Sequence, residues 1–133
     1  MTEQQSETLA EGNFKVVMSP LEGTAGIRRM QLAKEFTGAL NATSEGEMLG
    51  AMGAADGSAG YVAIERVTGT LDGRNGSFVL QHNGILDRGT PSLTVTVVPD
   101  TGTGELTGLS GTMEIEAEQD THIYRFTYTL TKR

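Results

Sequence analysis

Few side chains in this sequence can move a proton near neutral pH. There are two histidines, His82 and His122, and no cysteine, so nucleophilic or redox chemistry at a thiol is excluded. A carboxylate beside an imidazole can serve as general base and acid, because partial burial can bring both groups toward neutrality. Glu65 and His82 form such a pair if neighbouring strands carry them on one face. The same pair can instead be a satisfied polar contact in the core, or can orient a bound molecule without turning it over. Tyr61, Lys34, His122, Tyr124, Tyr128 and Met52 are the further residues expected to touch a ligand.

Strands must position these groups. From Tyr61 to Leu71 the chain has the β-branched content and two-residue period of a long strand, as do Ser92–Val98 and His122–Leu130. Phe14–Met18, Ile27–Phe36, Ser77–His82 and Thr112–Glu118 read the same way. Glu45–Met52 has the Glu, Met, Leu and Ala content of a short helix, but an internal repeat favours a strand. Gly69–Phe78, Gly104–Met113 and Gly38–Met48 each read as strand, Gly-rich turn, strand. Eight strands joined mainly by hairpins lose their exposed edges by closing. The fold expected is therefore all-β, a single closed, mostly antiparallel eight-stranded barrel of lipocalin-like size. It spans 12–133 behind a disordered polar tail at 1–11.

Placing Gly73 across from Gly76 sets Leu71 opposite Phe78 and Val67 opposite His82. Period two then turns Tyr61, Ala63, Glu65, Val67, Leu71, Phe78, Leu80 and His82 inward, with Val62, Ile64 and Val79 outward. Carried to the other repeats, the register turns Leu32, Lys34, Phe36, Leu40, Met48, Met52, Leu106 and Met113 inward, with His122, Tyr124, Phe126 and Tyr128 of the final strand. Lys34 and Glu65 hold equivalent repeat positions, and a lone buried charge is costly, so the two should form an ion pair. Leu40, Leu71, Phe78, Leu106 and Met113 should plug the end that bears the Gly-rich turns. The polar residues then gather toward the opposite, open end.

The stretch Gly60–His82, with its Gly69, Gly73 and Gly76, resembles a bacterial family of uncharacterised domains assigned to allene-oxide-cyclase-like barrels, over about Gly12 to Leu130. Val98–Gly111 is similar to the Gly-rich signature shared by allene oxide cyclase and dirigent barrels. The resemblance implies an eight-stranded barrel, often in a homo-oligomer. None of the cyclase's functional residues carries over to this chain.

The remaining composition narrows the partners. A formal charge of -7, with no basic cluster larger than Arg28-Arg29, repels phosphate backbones, so nucleic acid is not expected. The acidic start and the lack of a long apolar run predict a cytoplasmic protein without a membrane segment. Gly102-Thr103-Gly104 has neither the lysine nor the helix of a phosphate loop and is expected to be a bulge. No cofactor is expected, and no metal, because the histidines and Glu65 lack ligand spacing. Three functions stay open: binding of a small, largely apolar molecule in the barrel mouth, a proton-transfer isomerase or cyclase using Glu65 and His82, and a non-catalytic homo-oligomeric assembly module.

Overall fold

Alternating side chains give each strand one apolar face, and eight such strands leave two raw edges unless the sheet closes on itself. The computed structural model, which describes residues 6–118 and 121–131, has that closure. The strands follow chain order: β1 (Thr8–Thr24), β2 (Ile27–Gly38), β3 (Leu40–Met52), β4 (Ala59–Leu71), β5 (Arg74–Asp87), β6 (Thr90–Val97), β7 (Leu109–Glu118) and β8 (Thr121–Leu130). Each pairs antiparallel with its neighbours, and β1 pairs with β8 to shut the barrel. All the expected strands are present, including Glu45–Met52, which lies inside β3.

The expected tail is shorter at its inner end. Thr8–Glu11 already pairs with Arg125–Tyr128, where Glu11 meets Arg125 at 3.3 Å and Ala10 is fully buried. Backbone pairing and a buried methyl outweigh the polar composition that marked these residues as disordered. Met1–Gln5 of that expected tail lie outside the described residues.

The β4–β5 turn comes two residues earlier than expected. Leu71 lies opposite Arg74, so Asp72 and Gly73 alone make the turn, at φ of 48° and 83°. Two consecutive left-handed residues define the type I′ hairpin that Asp-Gly favours. Consequently Val67 faces Phe78, not His82, and His82 faces Ala63. The register is displaced by an even number of residues, which leaves every side chain on its expected face.

The three repeat units turn out to be three different structures. Leu71 ends β4, Leu40 begins β3, and Leu106 sits in a short 3-10 helix, Gly104–Leu106, on the connection from β6 to β7. That connection is a strap over β5 and not the bulge expected at Gly102–Gly104. Val79 N–H donates to Thr101 Oγ1 at 3.0 Å, Ser77 N–H to Thr103 Oγ1 at 3.0 Å, and Asn75 N–H to the Glu105 carboxylate at 2.9 Å. The strap buries Val79, which period two alone had placed outside.

Leu40, Leu71, Phe78, Leu106 and Met113 nonetheless share one buried cluster and close that end of the barrel. Burying a side chain of this size stabilises the fold by about 1.5–3 kcal/mol. Closure is uneven around the circumference. The β4–β5 ladder runs unbroken from Ala59–Leu86 to Leu71–Arg74, whereas β6 and β7 are in register only at Thr96–Thr112.

Candidate functional site

Period two lines the inner face of β4, from the closed end outward, with Leu71, Val67, Glu65, Ala63 and Tyr61. Glu65 is 0% exposed, and the register brings three donors to it from three other strands. Lys34 Nζ of β2 donates to Oε2 at 2.7 Å, His82 Nε2 of β5 lies 2.5 Å from the same oxygen, and Ser44 Oγ of β3 donates to Oε1 at 2.6 Å. The expected Lys34–Glu65 ion pair is therefore present, with Lys34 7% and His82 3% exposed. Ser44 escaped the sequence reading. Its even spacing from Leu40 and Met48, both read as inward, was the available signal.

Burial works to raise the Glu65 pKa, but the hydrogen bond from His82, the charge and hydrogen bond of Lys34 and the hydrogen bond from Ser44 together hold it down to about 2. Glu65 is thus a fixed anion. The expectation that burial would bring it toward neutrality as a base is not met, because each carboxylate oxygen already has a donor. A carboxylate only accepts, so His82 Nε2 carries the proton between them. Among the described residues no side-chain nitrogen or oxygen is both sealed from solvent and unpartnered, so the second His82 nitrogen borders accessible space.

An aromatic wall supports the cluster. Lys34 Nζ lies 4.7 Å from the Phe14 ring centre and 5.9 Å from that of Phe36. His122 stacks on the same Phe14 at 4.8 Å with planes 11° apart, so it packs beside Lys34 without reaching Glu65.

Beyond this cluster, toward the open end, lies a cavity of about 520 Å³. Met18, Met30, Met48 and Met52 line it together with Tyr61 and Arg28. Glu65, His82 and Lys34 do not form its wall; they lie deeper, beneath Tyr61 and Met48. Tyr61 links the layers. Burial first, and then the Glu65 charge, raise its pKa, and its ring lies so close over Gly84 that any side chain there would collide with it. Met52 stands at the rim, 71% exposed. A second hollow, of about 570 Å³, follows the β1–β2 hairpin from Pro20 to Met30.

Two residues expected at the ligand lie elsewhere. Tyr124 Oη donates to Thr37 O at 2.9 Å and accepts from Leu40 N–H at 2.9 Å, which ties down the β2–β3 turn at the closed end. Tyr128 Oη donates to the Asp72 carboxylate in the β4–β5 turn. Their inward direction was correct, but strand direction carries them away from the mouth. Among the described residues no three His, Asp or Glu side chains gather as a metal-ligand set, and no helix is long and apolar enough to cross a membrane.

Comparison with curated proteins gave no match. The chain is similar to a solved protein of unknown function from Shewanella oneidensis MR-1, with 49% sequence identity over 96% of this chain and 100% of the other and a TM-score of 0.89. That protein is described as a member of the DUF3224 family. The model of the same family, described as a protein of unknown function, matches residues 8–128, and the present chain belongs to that family.

Proposed function

We propose that the barrel binds a small, largely apolar molecule in its open end. The observation that carries this reading is the cavity of about 520 Å³ walled by four methionines, Tyr61 and aliphatic side chains. Small-molecule sites are typically concave, mostly apolar, of ~300–1,000 Å³, and furnished with a few placed polar groups. Methionine suits such a wall because its unbranched, polarisable thioether adapts to irregular ligands. Beneath it the Lys34–Glu65–His82–Ser44 cluster locks β2, β3, β4 and β5 together, so the floor is preorganised.

The test is native mass spectrometry of freshly purified protein, followed by titration with an environment-sensitive apolar dye. Ala59 faces the cavity, so Ala59→Trp should fill it and weaken dye binding at least tenfold. A protein that retains no ligand and binds the dye equally well with and without Ala59→Trp would sink the reading.

Catalysis by Glu65 and His82 has less physical support. A base held at about 2 is poorly matched to proton abstraction near pH 7. Assembly has an observation of its own: Leu49, Val62, Ile64 and Ile85 expose apolar surface on the outside of β3, β4 and β5. We infer a homo-oligomer in which this strip meets a second copy. Light scattering on size-exclusion chromatography tests it, and a strict monomer at tens of micromolar would refute it.

A further inference from the structure

The cavity wall carries a cation that has no partner among the described residues. Arg28 shares the inward phase of Met30, Leu32 and Lys34 on β2 and lies opposite Gly50, whose missing side chain leaves room above it. It lines the mouth of the cavity. Its neighbour Arg29 points the other way and makes a two-bond pair with Glu47 at 2.7 and 3.1 Å. Lys34, Arg88 and Arg125 are also paired with acids. Arg28 makes no hydrogen bond or ion pair with any described side chain, in a protein that carries 17 acidic residues against 10 basic ones. Among the described residues no aspartate or glutamate lines the cavity, so none of them competes there for the guanidinium.

Resting on the apolar-site reading above, we infer that the ligand is an amphiphile with a single anionic head, its tail among the methionines and its acid group on Arg28. A guanidinium offers a planar fork of N–H donors that matches a carboxylate in two parallel bonds. The geometry divides the labour. Met18, Met30 and Met48 take the tail inside the barrel, and Arg28 holds the head at the rim where water still reaches it. The acidic surface elsewhere repels the same anion, so the mouth is its favoured landing place.

Three probes with one tail separate the head from the pocket: dodecanoate, dodecanol and dodecyltrimethylammonium, each below its micelle concentration at pH 8, displacing the apolar dye. Dodecanoate should bind at least tenfold more tightly than the other two. Arg28→Met should remove that preference, leaving dodecanoate no tighter than dodecanol, and Arg29→Met should leave the preference intact. Circular dichroism confirms that each variant keeps the barrel. Equal binding of dodecanoate and dodecanol to the native protein overturns the inference, as does a preference that survives Arg28→Met. In both cases the apolar site still stands. If none of the three displaces the dye, the apolar-site reading falls and the head-group inference falls with it.

Discussion

Replacing Glu65 by glutamine removes one buried negative charge and leaves the Lys34 ammonium, 7% exposed, with no anion to pair with. Breaking one side of a buried pair costs about 3–5 kcal/mol, since the remaining ion has lost its water without compensation. Proton linkage gives a second route to the magnitude. A carboxyl held at about 2 in the fold against an ordinary 4.5 contributes about 3 kcal/mol at neutral pH. Because the folded pKa is the lower one, the unfolded chain binds the proton more readily. That stability is complete above pH 4.5 and is lost as pH falls from there through about 2. Urea denaturation followed by far-ultraviolet circular dichroism, at pH 7 and at pH 3, measures both effects. Glu65→Gln should be destabilised by about 3–5 kcal/mol at pH 7, and the gap to the native protein should narrow at pH 3. Adding Lys34→Met should recover part of the loss, because the double variant buries no lone charge. A single variant within about 1 kcal/mol of native at pH 7, or a gap that does not change with pH, would refute the reasoning.

Three other outcomes follow from the same structure. Tyr124→Phe leaves Leu40 N–H and Thr37 O without their shared hydroxyl and should cost about 1–3 kcal/mol in the same denaturation assay, with the dye site unaffected. All three tyrosines, Tyr61, Tyr124 and Tyr128, have pKa values raised above 10, chiefly by burial, and Tyr128 is pushed up to about 12 with Asp72 adding to the effect. Tyrosinate absorbance at alkaline pH should therefore lag behind free tyrosine, and a normal titration curve would contradict their burial. Hydrogen exchange should be faster along the facing edges of β6 and β7, which share one register pair, than along β4 and β5.

The barrel was legible because its signal is redundant. Eight alternating segments each state a face, and an even displacement of the β4–β5 register left Glu65 and His82 pointing inward even though their partners were misplaced. The Lys34–Glu65 pair followed from the cost of lone buried charge, which is a local argument that needs only faces. Height along the barrel needs more. Tyr124 and Tyr128 share a face with His122, but whether an inward tyrosine meets a ligand depends on which end its strand has reached, and period two is silent on that. The strap from Val98 to Thr107 was misread for a similar reason. Its threonines bond to β5 backbone N–H groups far away in sequence, and nothing local in Gly102–Gly104 announces them. Arg28 was visible only as half of a basic pair. Its even spacing from Leu32 and Lys34 already sets it on their inward face and Arg29 on the other, but the open space across from it appears only with the register that puts Gly50 there.

The distribution of methionine offers the most direct test of a ligand site in the mouth. Met18, Met30, Met48 and Met52 line the cavity, whereas Met113 is packed into the closed end. Labelling the methionine methyl groups with carbon-13 and titrating with dodecanoate gives each its own signal. The account predicts saturable shifts at the four mouth methyls with Met113 unmoved. Shifts spread evenly over these four and Met113, or none at any of the four, would contradict it.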